Sequence, residues 1–83
     1  MAYTLTLTSR EIQDIRFCGD RYDWSAAFAR LCDEGTNEIS EVDAWSLKEA
    51  AESDCEGGHS IFPMLSSQSE LFQKLLLFVD GIV

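Results

Sequence analysis

The chain has 83 residues, and its 15 Asp and Glu against 6 Lys and Arg give a formal net charge of −9. This length predicts a single compact domain, residues 1–83, with a small hydrophobic core. The sequence pI near 4.2 argues against direct binding to nucleic acids or anionic membranes, because their phosphates would repel the protein. A hydrophobic fraction of 46% excludes a disordered acidic tail.

Compartment is inferred from the N-terminal segment, the apolar segments and the cysteines. The first residues show no basic stretch followed by an apolar one, so we expect no secretory signal. The most apolar segment, 71–79, falls well short of the ~20 residues that a membrane span needs. Cys18, Cys32 and Cys55 cannot all pair within one chain and form no C-x-x-C motif, so we expect reduced thiols in a cytoplasmic protein.

The N-terminal segment has the pattern of a strand. Residues 3–8 alternate apolar side chains with threonine, which predicts a strand with one buried face. Since a lone strand is not stable, it needs a partner. The candidates are the segment around Glu38-Ile39, the segment 59–62, or a second copy of the protein.

Two helices are predicted next. Thr8 and Glu11 form a capping box that starts the first, and Gly19 is expected to end it. Asp20 or Asp23 is expected to cap the second. Apolar residues at helical spacing mark the buried faces: Ile12, Ile15 and Cys18 in the first helix, and Trp24, Ala27, Phe28 and Leu31 in the second, which Gly35 should end.

Two further helices complete the prediction. Ser40 and Asp43 start a third helix, expected from Glu41 to Asp54 or Glu56, and Gly57-Gly58 should break it. A loop over 57–66 holds the single proline. The last helix is predicted from a capping box of Ser67 and Glu70 to Asp80, with Gly81 as its stop. The sequence therefore predicts a mainly α (α+β) fold: about four short helices around a hydrophobic C-terminal helix, with a minor sheet using the N-terminal strand.

The charge is unevenly distributed. Residues 33–56 carry nine acids against Lys48 alone, so this segment holds −8 of the net −9. At about 100° per residue, Trp45 lies amid the carboxylates on one side of the third helix, with Val42 at the edge, while the opposite side should face the core. The predicted partner-binding residues are Glu38, Glu41, Val42, Trp45, Glu49, Glu52 and Glu56, and the predicted core side is Ala44, Leu47, Ala51 and Cys55.

The spacing of these acids suggests a kind of partner. From Glu38 to Glu56 there are seven carboxylates, one per ~4 Å of helix, close to the ~3.4 Å spacing of charges along one DNA strand. Such a face could engage Lys and Arg side chains placed to hold phosphates. The alternatives are that the face is simply solvated, and that the first strand or the C-terminal loop covers Trp45.

Catalytic and metal-binding patterns are incomplete. Cys55 and His59 have a metal-compatible spacing, but the paired cysteines and histidines of a zinc site are missing, as is an orienting group for a nucleophile. The segment 57–60 lacks the G-x-x-x-x-G-K-[ST] pattern of a phosphate loop. We therefore expect no enzyme activity, no cofactor and no metal.

At the level of composition, the chain resembles three groups of small acidic helical proteins. Acyl carrier proteins share its size and charge, but Ala44-Trp45-Ser46-Leu47 lacks their Asp-Ser-Leu motif. Colicin immunity proteins are similar in acidity, and Ile61-Phe62-Pro63 faintly matches their Tyr-Tyr-Pro signature. With Trp45 amid the acids of 33–56, the chain also looks like the small phage-encoded inhibitors, including anti-CRISPR proteins, that occupy nucleic-acid sites on their targets.

This third resemblance implies a non-enzymatic inhibitor, monomeric or weakly dimeric, that docks on a basic nucleic-acid-binding surface of another protein and blocks it. The alternative is an adaptor or assembly subunit that acts through strand pairing or dimerisation. A carrier-protein-like domain is a further alternative.

Overall fold

The computed structural model describes residues 2–18, 21–54 and 62–82. These residues form a mainly α fold with a minor sheet, as the sequence predicts. Along the chain, the elements are β1 (Tyr3–Leu7), α1 (Ser9–Cys18), α2 (Asp23–Leu31), β2 (Gly35–Ile39), α3 (Glu41–Ser53) and α4 (Glu70–Asp80).

The sheet consists of β1 and β2 in antiparallel pairing, with Tyr3 opposite Ile39 and Leu7 opposite Gly35. This confirms the segment around Glu38-Ile39 as the partner of the N-terminal strand. The alternation of side chains separates two faces, because successive residues of a strand point to opposite sides. The core face buries Leu5, Leu7 and Ile39, and the outer face exposes Thr4, Thr6, Thr36 and Glu38.

The predicted capping box starts α1. The Thr8 backbone N–H donates to Glu11 Oε1 at 2.8 Å, and the Glu11 N–H donates to Thr8 Oγ1 at 3.1 Å. Each side chain thus satisfies an amide that the first helical turn leaves without a partner. The helix buries Ile12, Ile15 and Cys18, as predicted. Gly19, the predicted stop, lies outside the described residues.

The prediction that Asp23 caps α2 is wrong. Asp23 is the first helical residue, the N-cap is Tyr22, and no side chain of the N-cap bonds to the helix. The backbone N–H of Trp24 donates instead to Asp54 Oδ2 at 2.6 Å, so a carboxylate just after α3 caps the start of α2. Asp20, the other predicted cap, lies outside the described residues.

The predicted end of α2 at Gly35 is also wrong. The helix ends at Leu31, and Gly35 opens β2 with a φ of +98°, a conformation that glycine adopts at little cost. Asn37 holds the intervening turn, since its side chain accepts from the Asp33 N–H at 2.9 Å and donates to the Asp33 carbonyl at 2.9 Å. The chain must leave the helix early to pair with β1.

The prediction for α3 is confirmed where the residues are described. Ser40 is the N-cap and accepts from the Asp43 N–H at 3.2 Å. The helix ends at Ser53 with Asp54 as its C-cap, which matches the shorter of the two predicted ends. The core side buries Ala44, Leu47 and Ala51 as predicted, whereas Cys55, Glu56 and Gly57-Gly58 lie outside the described residues.

The start of α4 differs from the prediction by two residues. Ser69, not Ser67, is the N-cap, and its hydroxyl accepts from the Phe72 N–H at 3.0 Å. A turn precedes it, closed by a hydrogen bond from the Ser69 N–H to the Ser66 carbonyl at 2.9 Å. The predicted end at Asp80, followed by Gly81, is confirmed.

One side of α4 faces solvent. Leu77 is 71% exposed, although the apolar run predicts a helix buried around most of its circumference. The buried side carries Leu71, Phe72, Leu75 and Val79. The helix is therefore a main contributor to the core without being surrounded.

An aromatic cluster fills the space between α2 and α4. The Phe62 ring centroid lies 5.3 Å from that of Trp24, 6.1 Å from Phe28 and 6.1 Å from Phe72, each at a steep interplanar angle. Such edge-to-face pairs contribute about 0.5–1.5 kcal/mol beyond area burial. Phe62 is fully buried, and its central position is not predicted from the sequence.

An ion pair links α1 to α4. Lys74 Nζ donates to Glu11 Oε1 at 2.6 Å, the same oxygen that the Thr8 amide contacts. Burial acts to raise the pKa of Glu11, but the hydrogen bonds and charge of Lys74 and the hydrogen bonds of Thr8 outweigh it, so the pKa lies below 4.5. The pair joins residues 63 positions apart.

This pair predicts a pH dependence of stability. Because the folded pKa of Glu11 lies below its unfolded value, the unfolded chain takes up the proton first as pH falls. The stabilisation is complete above about pH 4.5 and is lost as pH falls through the folded pKa. We expect Glu11→Gln to lower the free energy of unfolding by about 1–3 kcal/mol at pH 7 and by much less at about pH 3.

Urea titrations at the two pH values measure this difference. Glu34→Gln, at an exposed residue before β2, is the matched control and should change stability little at either pH. An equal loss for Glu11→Gln at both pH values would show that the ion pair does not carry the effect.

Candidate protein-binding surface

The outward side of α3 carries the predicted acidic residues. We call Glu41, Trp45, Glu49 and Glu52, with Val42 at the edge, the acidic face. All five side chains are exposed, and they are separated from the buried Ala44, Leu47 and Ala51 by the helical periodicity. From position 41 to position 52 the face extends over ~16 Å of helix.

Trp45 lies partly open on this face. Its side chain is 40% exposed, so neither β1 nor the C-terminal segment covers it fully, and Val42 beside it is 76% exposed. Lys48 Nζ lies 4.9 Å from the centroid of the Trp45 ring, and the same ammonium donates to the Ile82 carbonyl at 3.0 Å. The indole is thus held from one side by a cation that is itself fixed to the C-terminal segment.

Several carboxylates near the acidic face have no oppositely charged partner among the described residues. Among the described residues, no ion pair involves Glu38, Glu49 or Glu52. Lys48, the one basic residue of the segment 33–56, is engaged by the Trp45 ring and a backbone carbonyl. A helix face of this kind carries a negative potential into the solvent.

The structure brings together only part of the predicted set. Glu38 is exposed, but it lies on the outer face of the sheet opposite Thr4. Asp54 is one of the seven carboxylates counted from Glu38 to Glu56. Its side chain accepts a hydrogen bond from the backbone N–H of Trp24 and is not part of the acidic face. Glu56 lies outside the described residues. The even spacing of charges expected from the sequence therefore does not extend along the whole segment.

Exposed apolar residues away from α3 were not predicted. Phe17 on α1 is 83% exposed, and Met64, with a φ of +75°, is 53% exposed. Both line a cleft of about 230 Å³, which adjoins a cleft of about 300 Å³ that contains Glu11 and Lys74. These volumes lie at or below the lower end of the usual range for ligand pockets, ~300–1,000 Å³.

The described thiols are poor nucleophiles. Burial raises the pKa of Cys32 to about 11, and burial together with the charge of Asp14 raises the pKa of Cys18. Both thiols are free and buried. Because the thiolate is the reactive form, neither is activated for chemistry at neutral pH. Cys55 and His59, the pair with metal-compatible spacing, lie outside the described residues.

Within residues 2–18, 21–54 and 62–82, no group of three or more His, Cys, Asp and Glu side chains could hold a metal ion. No helix formed by these residues has the length and apolar character to cross a membrane. Comparison of the chain with protein-family models, curated proteins and solved structures found no significant match.

Proposed function

We propose that this protein is a non-enzymatic, cytoplasmic inhibitor that docks through its acidic face on a basic nucleic-acid-binding surface of another protein and blocks it. An anti-CRISPR-like or immunity-protein-like inhibitor is the kind of protein that fits. The observation that carries the proposal is that Glu49 and Glu52, which form no ion pair within the described part of the chain, share one helix face with the exposed Trp45.

Charge supports the choice of a basic partner. The segment 33–56 carries −8, and complementary charges speed association and suppress wrong partners. Lys and Arg side chains that hold phosphates are placed to bind oxygen anions, which the carboxylates of Glu41, Glu49 and Glu52 also present. The same field repels nucleic acid itself, so the protein would compete for the basic surface without binding its ligand.

The apolar residues of the face support a specific contact. Charge alone steers association, whereas binding energy in interfaces is concentrated in a few central aromatic and Arg residues. Trp45 lies in such a position, with the exposed Val42 beside it and the Lys48 ammonium over its ring. A partner arginine could stack on the side of the ring that Lys48 does not occupy.

The test is charge reversal at matched sites. Three proteins are immobilised and used to capture partners from a host lysate. They are the wild type, the variant Glu49→Lys/Glu52→Lys and the control Asp14→Lys/Glu34→Lys. Both double variants change the net charge equally, and all four residues are exposed. We expect a partner that the wild type and the control retain, that the α3 variant loses, and that is released at about 0.5 M salt, where charges are strongly screened.

The nature of the captured surface is then tested by competition. Double-stranded DNA or RNA that the partner binds should displace it from the immobilised wild-type protein. Retention of the partner by a folded Glu49→Lys/Glu52→Lys variant would rule out the acidic face as the docking surface. Simultaneous binding of the partner to nucleic acid and to this protein would rule out blocking.

An adaptor or assembly subunit is the second candidate, favoured by β1, whose sequence Tyr-Thr-Leu-Thr-Leu carries no charge. A carrier-protein-like function is less well supported, because Ser46 lies inside α3 and its hydroxyl donates to the Val42 carbonyl at 3.2 Å. A phosphopantetheine serine would need to stand at a helix start within an Asp-Ser-Leu motif.

A further inference from the structure

One long edge of β1 is without a strand partner in the described structure. β2 pairs with one side of β1, and no other described segment forms a backbone hydrogen bond with Tyr3–Leu7. Natural sheets usually protect such an edge with Lys, Pro, a bulge or an inward-pointing charge. Tyr3–Leu7 contains no charged residue and no proline, and its pairing with β2 runs without interruption.

The sequence of β1 is self-complementary in antiparallel pairing. Tyr-Thr-Leu-Thr-Leu has the same apolar and threonine pattern when read in either direction. Pairing centred on Leu5 places Leu5 opposite its own copy, Tyr3 opposite Leu7, and Thr4 opposite Thr6. Apolar residues then meet on the core side and threonines on the outer side, which are favourable cross-strand pairs.

We propose that the protein forms a weak two-fold homodimer through the free edge of β1, giving a four-stranded sheet in the order β2-β1-β1-β2. This inference is independent of the proposed function, since it involves β1 and not the acidic face of α3. A five-residue strand buries little area, so the association belongs to the weak class of interfaces below ~1,200 Å².

Charge selects the β1 edge over the β2 edge. Pairing through β2 would place the two copies of Glu38 on adjacent strands, and neighbouring strands of a sheet lie about 5 Å apart. In the proposed order, three strand spacings separate the two β2 strands, a distance of about 14 Å, which exceeds the Debye length of ~8 Å at physiological ionic strength. The uncharged edge therefore allows a chain of net charge −9 to self-associate.

The register suggests a pair of variants that separate attraction from repulsion. Thr4→Lys/Thr6→Lys places lysines opposite each other twice across the dimer, whereas Thr4→Lys/Thr6→Glu places a lysine opposite a glutamate twice. In both variants, the lysine at position 4 also lies opposite Glu38 of its own chain, so the monomer should fold. Thr36→Lys, on the outer face of β2, is the control.

Sedimentation equilibrium of the full chain, from about 10 µM to about 1 mM, measures the self-association expected of a weak interface. We expect the wild type, Thr36→Lys and Thr4→Lys/Thr6→Glu to dimerise, and Thr4→Lys/Thr6→Lys to dimerise about tenfold more weakly. A wild type that stays monomeric at the highest concentration overturns the proposal. So does a dimer that both double variants weaken equally, or that neither weakens.

A measurement on the wild type alone guards against misfolded variants. Amide hydrogen exchange should slow with rising protein concentration at those amides of β1 that do not bond to β2. Exchange at these amides that is independent of concentration, in a sample that dimerises, would place the interface elsewhere.

Discussion

Replacing Leu75 by alanine is expected to lower the free energy of unfolding by about 2–5 kcal/mol. Leu75 is fully buried on the core side of α4. Its truncation removes apolar contacts and leaves a cavity that the surrounding helices can fill only in part. For a domain of this size, whose total stability is about 5–15 kcal/mol, the loss would be a large fraction.

The same helix offers a matched control. Leu77 lies two residues further along α4 and is 71% exposed, so Leu77→Ala removes the same atoms from a site in contact with water. We expect a change within about 0.5 kcal/mol. Chemical denaturation of the two variants measures the difference, and equal losses would show that the buried side of α4 is misassigned.

The sequence predicts elements better than the contacts between them. Periodicity and caps predict β1, α1 and α3 closely, because each signal lies within the element itself. The start of α2 is capped by Asp54, 30 positions away from Trp24, and no local pattern reveals such a partner. The same holds for the pair between Glu11 and Lys74, where the capping role is predicted and the ion pair is not.

Glycine and serine signals were ambiguous for a related reason. Gly35 was expected to stop a helix, but its left-handed conformation serves the entry into β2, since pairing with β1 begins there. Ser67 and Ser69 can both cap a helix, and the tight turn between Ser66 and Ser69 favours the second. For Gly35 the pairing with β1 decides between a helix stop and a strand start. For the serines the preceding turn decides which of the two caps the helix.

The number of acidic residues in the segment 33–56 predicts the acidic face better than their spacing along the helix does. The helical wheel correctly separates the exposed Glu49 and Glu52 from the buried Leu47 and Ala51. It does not show that Asp54 turns toward α2, nor that Lys48 lies against Trp45. A partner would therefore contact a shorter acidic face than the sequence suggests. The aromatic ring on that face is held in place by Lys48.

Trp45→Ala is expected to weaken binding to the captured partner by about 2–4 kcal/mol, the range for a central aromatic anchor. The cost to folding should be smaller, because the side chain is 40% exposed and the contact with Lys48 contributes only about 0.5–1 kcal/mol at such a site. The variant therefore separates an interface residue from a core residue, whose truncation would cost about 3–5 kcal/mol of stability.

Two measurements check this prediction, titration of the partner and chemical denaturation of the free protein. Phe17→Ala is the matched control, since Phe17 is an aromatic residue 83% exposed on α1, away from the acidic face. It should change neither affinity nor stability by more than about 0.5 kcal/mol. Fluorescence adds a direct readout, because Trp24 is fully buried and only Trp45 can lose contact with water on binding. A severe loss of stability with unchanged affinity in Trp45→Ala would show that the indole supports the fold, and that the carboxylates of α3 act without an aromatic anchor.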